Sequence, residues 1–224
     1  AFRLTLSRIQ PRHSQSRRAT NCATPGYGVP HAFLAVGFTI ITQNWEVRKS
    51  ILPQNYLLNL KCWVNLILEQ NSNANIILHG SSMGAATVLM ASGDESPSNV
   101  NAIIADSGYT SVWDIFASEA KARFGLPTFP VLNMFQVVAR VRVGYNIKKA
   151  SALEQVKNSK TPILFIHGDK DDFVPESMCE SLYDSANCIK DKLIISGAGH
   201  TDSKYKEPDT YYNKIFEFID KVEN

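Results

Sequence analysis

The densest chemistry in this sequence is Gly80-Ser81-Ser82-Met83-Gly84, a G-x-S-x-G pentapeptide between the apolar run Ile76-Ile77-Leu78 and a small-residue helical stretch over 82–92. A serine at the centre of such a motif takes a sharp, strained strand-to-helix turn, and its hydroxyl then projects from the sheet edge. Gly80 and Gly84 flank it because side chains two residues to either side would collide in that turn. A helix that starts at once behind the serine aims free N–H groups at the spot where negative charge develops in acyl transfer. Ser82 is therefore a candidate nucleophile. A serine needs a general base, and the base needs a carboxylate to fix its tautomer and stabilise the imidazolium. Of five histidines, His13 and His31 lie in the front tract, and His79 and His167 end buried runs and read as structural. His200 closes Gly197-Ala198-Gly199-His200 after the last predicted strand, and is the candidate base. The strand-end loop 167–175 offers three carboxylates, Asp169, Asp171 and Asp172.

These groups need a scaffold that brings distant loops to one edge. Short apolar runs predict strands over 38–42, 76–78, 102–105, 162–166 and 193–195. A helix is predicted over about 53–69, with Leu57, Leu60, Val64 and Ile67 on one face and Trp63 and Leu66 beside them. The helix 82–92 is expected to close at Gly93 in the left-handed conformation. Two more helices are predicted, over 176–185 and from an N-cap at Asp209, the last with Tyr212, Ile215, Phe216 and Ile219 on one face. Continuous apolar strands alternating with helices mean an α/β fold, a parallel doubly wound sheet covered on both faces. Right-handed crossovers put the C-terminal ends of all strands on one edge, where ligands bind.

Composition bounds the partners. The chain has 224 residues, 44% hydrophobic and 20% charged, with a net charge of +2, which excludes disordered, collagen-like and coiled-coil classes. The basicity sits at one end: residues 1–45 hold five arginines and no acid, while the rest carries 18 basic and 21 acidic residues. Those arginines have no interleaved aromatics, so no nucleic-acid partner is expected. Cys22, Cys62, Cys179 and Cys188 are too scattered for a disulfide scaffold or a zinc site, and free cysteines suit a cytoplasmic location. The apolar tract 32–41 is about half the ~20 residues that a membrane span requires, and no cleavage site follows it. The first methionine is Met83, so the reading expects a start inside a longer frame or a processed end; an anchored or exported form therefore stays open.

From about residue 37 to 222 the chain resembles an α/β-hydrolase of the bacterial serine aminopeptidase/esterase-like group. The resemblance rests on Leu78-His79-Gly80-Ser81-Ser82-Met83-Gly84-Ala85-Ala86-Thr87, on Ala105-Asp106-Ser107-Gly108-Tyr109-Thr110-Ser111, on the loop 167–175 and on Gly197 to His200. In that family the acid of H-G-x-x-D-x-x-V-P is the aspartate three before the valine, which is Asp171; Asp169 and Asp172 then keep the loop solvated, and Asp106 is the alternative acid. The resemblance implies attack by Ser82 on an ester, thioester or amide of a small acyl substrate, with His200 as base and the Met83 backbone N–H as one oxyanion donor. It implies no metal or organic cofactor. A small helical cap is expected over about 109–156, in a core spanning 37–224, after an atypical basic arm at 1–36. Two family features are missing. Nothing upstream of Gly37 matches the H-G-aromatic turn that supplies the second oxyanion donor, and the loop 43–50 lacks the glycines of D-x-R-G-x-G-x-S. The expected core is thus truncated or altered at its front, the second donor is unknown, and the alternative is an impaired hydrolase-fold protein that binds a small ligand with little or no turnover. Oligomeric state is not legible.

Overall fold

The computed structural model describes residues 31–36, 53–94, 96–143 and 146–223, with side chains from Leu60 onward. The strand predicted over 38–42 and the loop 43–50 lie outside the described residues. Among the described residues five parallel strands form one sheet in the order β1 (His31–Val36), β2 (Asn75–Ser81), β3 (Val100–Asp106), β4 (Ile163–Gly168) and β5 (Lys190–Ile195). β1 falls inside the tract read as an arm, and it pairs with β2 from His31 opposite Asn75 to Val36 opposite Gly80. The other four strands match the apolar runs of the sequence; β2, β3 and β5 are longer than predicted, and β4 starts one residue later and ends two later.

Strand parity divides the core. Ile76, Leu78, Ile103, Ala105, Ile163 and Phe165 point to one face, where α1 (Pro53–Gln70), α2 (Met83–Ser92), α5 (Ala152–Val156) and α6 (Glu176–Ser185) pack. Ile77, Ala102, Ile104, Leu164 and Ile166 point to the other face and meet α8 (Pro208–Glu223) through Tyr211, Ile215, Phe218 and Ile219. Each buried Ile, Leu or Phe side chain among them stabilises the fold by about 1.5–3 kcal/mol. α1 contributes Leu60, Val64 and Ile67 as the 3.6-residue period requires. α2 is buried all round, from Gly84 to Ser92, which explains its run of small residues. In α8 Ile215 and Ile219 are buried as predicted, but the aromatic residues differ: Tyr211 and Phe218 are buried, Tyr212 and Phe216 only partly. Asp209 lies inside the first turn behind Pro208, so it interacts with the helix dipole and is not the cap.

Gly93 is not left-handed: its φ is −81°. Glycine is required there by close approach, because a Cβ would stand 2.2 Å from Gln155 Oε1 and 2.6 Å from the Gln155 carbonyl oxygen. Between β3 and β4 the chain forms α3 (Val112–Phe124), α4 (Thr128–Val143), a 3-10 turn (Ile147–Lys149) and then α5. Ser111 caps α3 by accepting the Asp114 N–H at 3.0 Å, and Gly125, with φ 62°, ends it in the left-handed conformation. α4 leaves Phe129, Met134, Val137 and Val141 more than half exposed. The remaining short helix is α7 (Ser203–Lys206). Among the described residues no helix is long and apolar enough to cross a membrane.

Candidate active site

β2 delivers Ser82 to the sheet edge. Its φ is 53° and ψ −116°, a left-handed conformation that costs a non-glycine residue roughly 1–3 kcal/mol. The surroundings hold it there. The Ser82 N–H donates to the Asp106 carbonyl at 2.8 Å, and its own carbonyl accepts the Ala86 N–H at 3.0 Å, the first bond of α2. A Cβ on Gly80 would lie 2.3 Å from the Gly84 carbonyl oxygen, so the turn closes only with glycine. Met83 opens α2, and the backbone N–H groups of a first helical turn lack intrahelical acceptors.

The loop after β5 brings His200 to Ser82, with Nε2 2.7 Å from Oγ. Its Nδ1 is 2.7 Å from Asp171 Oδ2. In the neutral ring this geometry puts the proton on Nδ1, donating to the carboxylate, and leaves Nε2 to accept from the serine. The loop after β4 fixes Asp171: Oδ1 accepts the N–H groups of Phe173 at 3.0 Å and Val174 at 2.8 Å. The buried His167 donates from Nε2 to the Val174 carbonyl at 2.8 Å and stands 3.4 Å from Asp171 Oδ2. Burial alone would raise the Asp171 pKa, but the His200 hydrogen bond, the Val174 and Phe173 amides and the His200 charge together hold it below the usual carboxylate value.

The structure thus brings together Ser82, His200 and Asp171, with Gly80, Met83 and Gly84 at the turn. It does not bring the other carboxylates to the imidazole. Asp172 is exposed. Asp169, partly exposed, also ties the β5 loop down, accepting the Gly197 N–H at 2.6 Å and the Ser196 hydroxyl at 3.1 Å. Asp106, the alternative acid, is fully buried on the α8 side of the sheet, where it accepts from Ser107 at 3.2 Å and Tyr211 at 3.2 Å. Burial raises its pKa, against the opposing influence of Lys204 and these two hydroxyls. His79 and His167 are both packed and hydrogen-bonded, as read from their strand ends.

Three contacts were not foreseen. Phe173 packs on the His200 ring with centroids 4.9 Å apart, and Arg123, at the end of α3, lies over Phe173 at 5.7 Å. Gly168 has no room for a Cβ, which would meet the Ala198 carbonyl oxygen at 2.2 Å. Its place at the end of β4, directly before the acidic loop, was the available signal. Among the described residues no group of three or more His, Cys, Asp or Glu could hold a metal ion. Cys62, Cys179 and Cys188 are free thiols, and burial pushes Cys179 up to about 12.

Against known proteins, residues 60–224 match the model of the prolyl oligopeptidase family. An uncharacterized protein of Bacillus subtilis (strain 168), YqkD, is 30% identical over 160 residues, covering 71% of this chain and 52% of that one. The chain therefore spans about half the length of this curated relative. Acylaminoacyl peptidase of Pyrococcus horikoshii superposes with a TM-score of 0.58 at 19% identity, over 79% of this chain and 30% of that one. A Pyrococcus furiosus esterase, Pf2001, gives 0.55 at 19% identity over 75% and 62%. Dipeptidyl peptidase 4 of Porphyromonas gingivalis gives 0.58 at 17% identity over 79% and 24%. At these identities the superpositions carry the α/β-hydrolase fold.

Proposed function

The chain belongs to the prolyl oligopeptidase family, and from that premise we propose that it is a serine hydrolase cleaving an ester, thioester or amide bond of a small acyl substrate. One observation carries the reading: His200 makes two hydrogen bonds of 2.7 Å, one to Ser82 Oγ and one to Asp171 Oδ2. In the first half-reaction Ser82 Oγ attacks the substrate carbonyl carbon while His200 Nε2 takes its proton. Asp171 stays ionised and stabilises the imidazolium. The carbonyl oxygen, now negative, is held by the Met83 N–H at the positive end of α2. The tetrahedral centre collapses, its bond to the leaving group breaks, and His200 hands that group the proton. Water then repeats the sequence on the acyl-serine, releasing the acid and restoring Ser82. The helices over 109–156 act as a cap whose apolar side chains accept the acyl group.

A second reading keeps the fold and removes the turnover. It rests on residues 1–36 carrying no H-G-aromatic turn to supply a second oxyanion donor; an oxyanion hole short of one donor is slower by about 10²–10³. A fluorophosphonate probe separates the two. The hydrolase labels on one serine, the adduct maps to Ser82, and Ser82→Ala abolishes it. Labelling that persists unchanged in Ser82→Ala, or its absence from the unsubstituted chain, overturns the proposal. Hydrolysis of a p-nitrophenyl ester at the rate of the Ser82→Ala control identifies the impaired binder.

A further inference from the structure

We propose that Ser107, backed by Asp106 and Tyr211, is a positioning residue that holds His200 in line with Ser82; this rests on reading His200 as the general base. Three non-glycine residues among those described have positive φ: Ser82 at 53°, Ser107 at 56° and Thr201 at 58°. The first is the candidate nucleophile. The other two are joined by a single hydrogen bond, Thr201 N–H to Ser107 Oγ at 3.1 Å. Thr201 directly follows His200, so its amide plane sets the direction in which the imidazole leaves the backbone. Strained conformations of this kind persist only where the surroundings over-determine them, and they cluster at functional sites.

The surroundings here are specific. Ser107 is fully buried, and its N–H donates to the Ile166 carbonyl of β4 at 2.9 Å. Its hydroxyl proton goes to Asp106 Oδ1 at 3.2 Å, which leaves the Oγ lone pairs for Thr201. Asp106 Oδ2 accepts the Tyr211 hydroxyl at 3.2 Å, and Tyr211 Oη in turn accepts from His79 Nε2 at 2.9 Å. The chain of bonds therefore runs from α8 through the end of β3 to the His200 loop. Its other branch is the Asp106 carbonyl, which holds the Ser82 N–H at 2.8 Å. One dipeptide, Asp106-Ser107, grips the backbone of Ser82 and of Thr201, the residue next to His200. A residue that only filled buried space would need neither the positive φ nor the acceptor aimed at Thr201.

The test uses the full chain and Ser107→Ala, which keeps the Cβ and removes the acceptor. Saturating fluorophosphonate kinetics should show a maximal labelling rate lower by about tenfold at an unchanged half-saturating concentration, as misalignment of reacting groups gives. The His200 Nδ1 proton, read downfield in the NMR spectrum of histidine-labelled protein, should broaden or vanish. Packing loss alone lowers the melting temperature and moves neither signal. A folded Ser107→Ala protein with the original labelling rate and the original resonance overturns the proposal. Should that variant not fold, Tyr211→Phe carries the test, with about a threefold rate loss expected and original values for rate and resonance counting as refutation. An unsubstituted protein that shows the resonance but never labels overturns the hydrolase reading alone, and the resonance in Ser107→Ala then decides the positioning role.

Discussion

On the proposed reading His200 can serve Ser82 only in one tautomer, and its contact with Asp171 favours that one. The carboxylate accepts from Nδ1, so the Nε2 lone pair faces the serine hydroxyl. Asp171→Asn keeps the shape but offers an amide N–H to the ring, which favours the opposite tautomer and leaves Ser82 without an acceptor. The expected loss in fluorophosphonate labelling is about 10³–10⁴-fold with little change in melting temperature. A loss under tenfold would show that Asp171 does not set the tautomer. At this scale the sequence was legible wherever a local turn dictates a residue type. Ser82 follows Gly80, which the turn demands, whereas Asp171 was singled out from Asp169 and Asp172 only by the family resemblance; its Oδ1 accepts the Val174 amide. Asp106 was not legible in the same way. Its partner Tyr211 is 105 positions away, and no local pattern announces that contact.

At the scale of elements, the three candidate residues are positioned by loops that touch each other through backbone. The Lys170 N–H donates to the Ala198 carbonyl at 3.0 Å, and the Asp169 N–H to Ile195 at 3.2 Å. Gly168 permits this contact between the acid loop and the histidine loop. Gly168→Ala should drive the two loops apart, since its Cβ would stand 2.2 Å from Ala198 O and 2.9 Å from Ala198 Cβ. Displacement approaching 1 Å predicts about a 10²-fold slower labelling, while α2 and the Ser82 turn keep their geometry. Measured rates within a factor of three of the unsubstituted protein would mean that the loops absorb the methyl group. β2 to β4 were readable because buried parallel strands are continuously apolar, and the half-polar edge strand β5 only at its apolar end, Leu193 to Ile195. The aromatic anchors of α8 were not readable, because Tyr211-Tyr212 and Phe216-Glu217-Phe218 offer aromatic residues on adjacent faces and periodicity alone ranks them equally. Only contact with Ile77, Ile104 and Ile166 selects Tyr211 and Phe218.

For the whole molecule, the buried polar chain between sheet and α8 makes stability depend on pH. His79 is held down to about 4, first by burial and then by the Lys204 charge, so the folded protein keeps it neutral across the range where the unfolded chain protonates it near the reference value of about 6.5. The unfolded state thus binds more protons between those limits, and stability falls as pH drops through that window. Between pH 7 and pH 5 the loss from this one group is about 2 kcal/mol by proton linkage. Asp171 adds nothing there, because its folded value lies below that of the unfolded chain and its contribution is lost only in more acid solution. His79→Gln, which retains a donor toward Tyr211 and cannot titrate, isolates the His79 share. Urea denaturation at both pH values should show the unsubstituted protein losing about 2 kcal/mol more than the variant. Parallel losses in the two proteins would mean that His79 takes up its proton without unfolding, and that the contact between α8 and the sheet end tolerates a charge.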